Sequence, residues 1–180
     1  MVMSIGTHEE ELLRKLTAAL STNPRSSTGA LAQAVGISRA TFNRLFCSRE
    51  NLMELIAERG EETLQKIISL AQETVTDYAA SLTALIEAHS QNQEYLSFVC
   101  GTQSSLENAF WEQYLGALDH FFLEGQKAGA FRVDIPHQML AELFVSMICG
   151  MIDAQRRGRV ATSGLGVQMT EFFLHGTAKV

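Results

Sequence analysis

The chain has 180 residues, 46% of them apolar, and a formal net charge of −6. That length holds one domain or two small ones around a sizeable core, and no apolar run is long enough to span a membrane. The opening MVMSIGTHEEE lacks the basic start and apolar stretch of a secretory signal. Cys47, Cys100 and Cys149 are scattered and odd in number, which argues against a disulfide framework or a CxxC metal site. The expectation is a cytoplasmic protein with reduced thiols, no bound metal and no cofactor.

Leu, Ala, Glu and Gln dominate and only two prolines occur, so an all-α chain is expected. The first helix should begin at Thr7, where Thr7-His8-Glu9-Glu10 fits a capping box. Leu12, Leu13, Leu16 and Leu20 form its apolar stripe, and Asn23-Pro24 ends it. Ser26 or Ser27 caps the second helix, with Leu31, Ala34 and Val35 inward. Gly36 supplies a sharp turn. Ser38 caps a third helix that buries Phe42 together with Leu45 or Phe46. Ser48 caps a fourth, whose Leu52, Leu55 and Ile56 face inward and which runs on past Ile67, Ile68 and Leu70. A domain boundary is expected near residue 50, giving 1–50 and 51–180, with a shared helix and no Gly/Ser-rich linker between them.

The remainder is helical by pattern. Tyr78, Leu82, Leu85, Ile86 and His89 form one stripe, followed by a short apolar piece at Tyr95 to Val99 and a break at Gly101 to Ser105. Phe110, Tyr114, Leu118, Phe121 and Phe122 mark the next helix, with Lys127 at its C-terminal end. Pro136 opens another, in which Leu140, Leu143, Phe144, Met147, Ile148, Met151 and Ile152 share a face. Ala141, Val145, Ile148 and Ile152 give it a second stripe. A last helix carries Leu165, Met169, Phe172 and Phe173. Apolar surface over such a wide arc suits burial on two sides, one in the chain's own bundle and one against a twin subunit, with Gly150 allowing close approach.

Two short helices meeting at Val35-Gly36-Ile37-Ser38 have the form of a helix-turn-helix, the second helix showing Arg39, Thr41, Asn43 and Arg44 outward. Local charge agrees with binding to a polyanion. Residues 21–50 carry Arg25, Arg39, Arg44 and Arg49 against the single acid Glu50, whereas residues 61–180 hold fourteen acids against seven Lys and Arg. Screening over about 8–10 Å lets a basic head act on phosphates despite an acidic body. Enzyme chemistry finds no support: the histidines are scattered, and HExxH, a phosphate-binding Gly loop and a nucleophile elbow are all missing. The alternative is an all-helical small-molecule-binding or protein-interaction module whose helix-turn-helix does not bind DNA.

Residues 9–56 resemble the DNA-binding domain of the TetR family of transcriptional regulators. The resemblance is carried by Ser26-Ser27, Leu31-Ala32, Ala34, Val35-Gly36-Ile37-Ser38, Thr41-Phe42, Phe46 and Ser48-Arg49-Glu50-Asn51-Leu52. The later GQKAGAFRVDIP resembles the loop before that family's C-terminal dimerisation helices. The resemblance implies a ligand-responsive homodimeric repressor, paired through its two C-terminal helices, whose recognition helices enter successive major grooves of a palindromic double-stranded operator. The implied DNA-contacting set is Ser27, Thr28, Ser38, Arg39, Ala40, Thr41, Asn43, Arg44 and Arg49, Arg49 standing where the family often has a phosphate-reaching lysine. The family often has Gly at Ala40 and Tyr at Asn43, so the contact surface is individual. An apolar effector cavity is implied in the C-terminal body, its candidate lining being His89, Phe98, Phe110, Tyr114, Phe121, Phe144 and Met147. Glu87, Asp119 and His120 are further polar candidates.

Overall fold

A computed structural model of the chain describes residues 7–101, 108–161 and 163–177. Among them are nine α-helices and no strand: α1 (Thr7–Thr22), α2 (Thr28–Ala34), α3 (Arg39–Phe46), α4 (Arg49–Ala71), α5 (Tyr78–Gln91), α6 (Gln93–Gly101), α7 (Asn108–Lys127), α8 (His137–Arg156) and α9 (Leu165–Thr177). They form two compact units. The first comprises 7–63 and 94–101, the second 64–93, 108–161 and 163–177. The division falls inside α4, and α6 belongs with the N-terminal helices.

The first unit is built on one apolar core. Leu12, Leu13, Leu16 and Leu20 of α1 meet Leu31 and Ala32 of α2, Phe42 and Phe46 of α3, Leu52 and Ile56 of α4, and Tyr95 of α6. Each Leu, Ile or Phe among them contributes about 1.5–3 kcal/mol relative to staying exposed. The expected inner face of α2 is corrected by one position: Ala32 is buried with Leu31, while Ala34 is exposed. The capping box expected at Thr7 rests on a side chain outside the described residues; the Glu10 carboxylate meets the Tyr95 hydroxyl, Arg14 and Arg59.

Local chemistry sets the helix ends. Ser27 caps α2 by accepting from the Ala30 N–H at 3.2 Å, Ser38 caps α3 by accepting from Thr41 N–H at 3.0 Å, and Ser48 accepts from Asn51 N–H at 3.1 Å at the start of α4. Gly36, at φ +76°, closes α2 with two bonds, Ile37 N–H to the Ala32 carbonyl and Gly36 N–H to that of Gln33. This doubly bonded C-cap needs a left-handed residue, which glycine adopts without strain. Cys47, between α3 and α4, has φ 58° and ψ −59°, and Ser48 N–H bonds back to the Phe46 carbonyl. That is a γ-turn centred on a residue with a β-carbon, a rare and strained link.

The second unit packs α7 on α8 and α5 on α9. Its core is aromatic: Phe121, Phe122, Phe131, Phe144 and Phe173 form a continuous series of ring contacts, with Tyr78 against Phe121 and Phe131. Gly125 on α7 makes room for Phe131, because a β-carbon there would lie 2.3 Å from the ring. The chain between α7 and α8 is tied by the Gln126 amide, which donates to the carbonyls of Arg132 and Ile135, and by Arg132 N–H on the Thr177 carbonyl. Asp77 caps α5 through the N–H groups of Ala79 and Ala80.

Candidate nucleic-acid interface

On α3, Phe42 and Phe46 lie one turn apart and are buried, and Leu45 beside them is half-buried. That fixes the opposite arc, where Arg39, Ala40, Asn43 and Arg44 are all exposed. No hydrogen bond or ion pair from any described residue engages the side chains of Arg39, Asn43 or Arg44. Thr41 differs. It is half-buried on the flank of the helix, and its hydroxyl shares a 2.9 Å hydrogen bond with that of Ser38. The outward set is therefore Arg39, Ala40, Asn43 and Arg44, with Thr41 and Ser38 at the rim. The arc holds two guanidiniums and an amide, the side chains that read guanine and adenine edges.

Arg49 stands apart from this arc. Its Nε donates to the Ser26 carbonyl at 3.3 Å, one Nη to the Pro24 carbonyl, and the other Nη lies 3.1 Å from the Met53 sulfur. Ser27 is exposed and Thr28 half-buried at the start of α2.

No protein-family model matches the chain. It is 36% identical over 182 residues to the HTH-type transcriptional regulator NfxB of Pseudomonas aeruginosa, covering 98% of this chain and 97% of that protein. The chain belongs to the TetR family of transcriptional regulators. Its fold matches that of the TetR-family regulator PfmR from Thermus thermophilus, with a TM-score of 0.67 at 21% identity over 98% of this chain and 100% of the other. It also matches AibR, solved in complex with isovaleryl coenzyme A and operator DNA, with a TM-score of 0.65 at 14% identity over 93% of this chain and 96% of the other. This TetR-family chain is a DNA-binding transcriptional regulator and not an enzyme, and none of its described helices is long and apolar enough to cross a membrane.

In this TetR-family regulator the residues expected to line an effector site divide. His89, Tyr114 and Phe144 meet in the second unit: the His89 ring is 5.9 Å from Tyr114 and 5.4 Å from Phe144, and Phe121 joins through Phe122. Phe110 and Met147 are half-buried on α7 and α8, and Phe98 packs against the core of the first unit. Glu87 and His120 are exposed and Asp119 is half-buried. His89 is 2% exposed. Its Nδ1 lies 2.6 Å from the Leu85 carbonyl, which only accepts, so Nδ1 carries the proton and Nε2 accepts from the Tyr114 hydroxyl at 2.8 Å. Burial pushes its pKa down to about 4, against a smaller upward effect of the Leu85 carbonyl. The imidazole is neutral.

Two features of the TetR-type head have no local sequence signal. One is α6 docked through Tyr95, whose hydroxyl is held up in pKa by burial and by its hydrogen bond to Glu10. The other is the Arg49 clasp, whose acceptors lie 23 and 25 residues earlier. The Asp77 cap, by contrast, has a local signal, since Asp directly precedes the apolar stripe.

Proposed function

We propose that this TetR-family regulator is a ligand-responsive homodimeric repressor that binds a palindromic operator through α3. The observation that carries the reading is the outward arc of α3, where Arg39, Asn43 and Arg44 are exposed and unengaged by any described residue. Arg39 and Arg44 would meet guanine edges or phosphates, Asn43 adenine, and Ala40 would place a methyl where the helix approaches DNA closely. Ser27, Thr28, Ser38 and Thr41 would flank them on the phosphate backbone. A regulator working on DNA in this way acts in the cytoplasm.

Pairing through α8 and α9 is supported by large apolar side chains left exposed on both helices. Met139 and Leu143 stand on α8, Val167 and Phe172 on α9, with Phe172 at 77% exposure. Ser146 and Gly150 continue the α8 face, and a β-carbon at Gly150 would meet no atom within 4 Å. Two recognition helices joined this way would reach half-sites about one DNA turn apart.

An apolar effector is proposed to bind in the second unit among His89, Tyr114, Phe121 and Phe144, with Phe110 and Met147 at the margin. AibR, solved with an acyl coenzyme A and operator DNA, is the precedent. These rings already touch, so an effector must part them and would favour a different packing of the body. Only such a difference in affinity between two states can shift DNA binding.

The test is selection of duplex DNA from a random pool by the purified protein, followed by sedimentation of the free protein and of its complex. A dimer that enriches an inverted repeat supports the proposal. A micromolar monomer, or a pool in which no sequence is enriched, overturns it.

A further inference from the structure

We infer that Arg49 is a positioning residue for DNA recognition and not a phosphate ligand. It clasps the α1–α2 turn to the first turn of α4 and thereby fixes the frame in which α3 is presented. The inference rests on the proposed entry of α3 into DNA and deepens it.

Arg49 is the first residue of α4. Its Nε and one Nη, the two donors along a single edge of the guanidinium, reach the carbonyls of Ser26 and Pro24, two residues apart. Among the described residues no backbone N–H reaches either oxygen, so Arg49 satisfies two acceptors that the turn itself leaves open. The other Nη rests on the Met53 sulfur, one turn along α4. A phosphate bound bidentately takes two parallel N–H groups from one edge of a guanidinium; the Nε/Nη edge is taken by the two carbonyls, and the other Nη is turned to the Met53 sulfur.

The clasp has a mechanical consequence. The turn it holds runs directly into Ser27, the cap of α2. α2 packs on α3, and α3 is joined to α4 by only Cys47 and Ser48. Arg49 thus closes a loop of contacts, with α2 and α3 between its own helix and the turn it grips. Lysine cannot reproduce this, because an ammonium is a point charge without a planar pair of donors.

The experiment measures affinity of the intact protein for duplex DNA selected by the wild type, across about 50 to 200 mM salt. Arg49→Lys and Arg49→Gln are compared with wild type, each at its titrated binding-competent concentration, so that a misfolded fraction does not enter. The clasp predicts that Arg49→Lys, although it keeps the charge, weakens binding about tenfold, as Arg49→Gln does. It also predicts that neither variant changes the slope of log affinity on log salt. Wild-type affinity in Arg49→Lys, together with a slope shallower by about 0.9 in Arg49→Gln, would make Arg49 a phosphate contact and overturn the inference. Failure of the wild type to select any DNA would remove the DNA-recognition reading itself, an outcome distinct from the variant pattern, and the inference with it.

Discussion

The Tyr95 hydroxyl donates a 2.7 Å hydrogen bond to Glu10 Oε1 across 85 residues of sequence. Around this bond Arg14 lies 3.6 Å from Glu10 and 3.5 Å from Glu94, with its guanidinium 5.2 Å from the centre of the Tyr95 ring. Arg59 completes the group at 3.6 Å from Glu10. One tyrosine on α6 is thereby held by α1 and α4 together, with its ring in the core and its hydroxyl on a carboxylate.

Tyr95→Phe keeps the ring and removes the donor. Glu10 retains both arginines, so the expected cost is that of one part-buried hydrogen bond to a charged acceptor, about 1.5 kcal/mol. Tyr95→Ala also opens a cavity and should cost about 3–5 kcal/mol. Urea unfolding followed by far-UV circular dichroism measures both. An unchanged midpoint in Tyr95→Phe would show that the hydroxyl contributes nothing to the docking of α6.

His89 makes the second unit sensitive to acid. Its folded pKa of about 4 lies below the 6.5 of an unburied histidine. Between those values the unfolded chain takes a proton that the folded one refuses, so stability rises with pH there. The contribution is complete above about pH 6.5 and is lost as pH falls towards 4. At 1.36 kcal/mol per unit this amounts to roughly 3 kcal/mol. Denaturation curves read by the fluorescence of Trp111, whose ring is 5.1 Å from Tyr114, should show this loss in wild type. His89→Phe should lack it. An equally steep decline in both proteins would assign the acid sensitivity to other groups.

Gly125→Ala tests the packing of the aromatic core. The added methyl would lie 2.3 and 2.4 Å from Phe131 ring carbons and 3.0 Å from the Tyr78 ring. Phe131 is 1% exposed and has ring contacts with Tyr78, Phe121 and Phe122, so it has little room to yield. Overpacking of this kind costs about 1–3 kcal/mol. Phe131→Leu alone should also destabilise, yet the double variant should lose less than the sum. Strict additivity in thermal unfolding would mean that the backbone relaxes away from the clash.

These examples show which parts of the fold are legible in sequence. Caps are local, and Ser27, Ser38 and Ser48 each stand where the pattern puts them. The four-residue spacing of Phe42 and Phe46 fixes the inner face of α3. α2 is two turns long, too short for periodicity to choose between Ala32 and Ala34. Thr41 reads as outward because it is polar, but its place on the helix is the flank. Arg49 and Arg44 are chemically the same in sequence, and only the fold distinguishes a clasp from a free guanidinium. Tyr95 reads as one more aromatic of a short helix, because its partner lies 85 residues away.

The γ-turn at Cys47 predicts a gain in stability. A β-carbon at φ 58° and ψ −59° is strained by about 1–3 kcal/mol. Cys47→Gly removes the strain but adds about 0.5–1 kcal/mol of chain entropy to the unfolded state, so a net gain of about 1 kcal/mol is expected. Cys47→Val, branched at the β-carbon, should lose stability. Thermal unfolding of the two variants checks the order, and a Val variant as stable as the Gly variant would show the turn to be unstrained.

The outward arc of α3 predicts a division of labour that substitution can resolve base by base. Arg44→Ala should cost about 1–3 kcal/mol of binding and relax preference at one base-pair position if it reads an edge. A loss uniform across sequences, with a salt slope shallower by about one, would make it a phosphate contact. Asn43 carries no charge, so Asn43→Ala should leave the slope unchanged and relax preference at an A·T pair. Thr41→Val keeps shape and loses the hydroxyl that meets Ser38. Its expected effect is on the α3 cap, seen as reduced stability with base preference retained. Selection of DNA by each variant separates these outcomes, and a base preference altered by Thr41→Val but not by Asn43→Ala would place the reading edge of α3 on its other side.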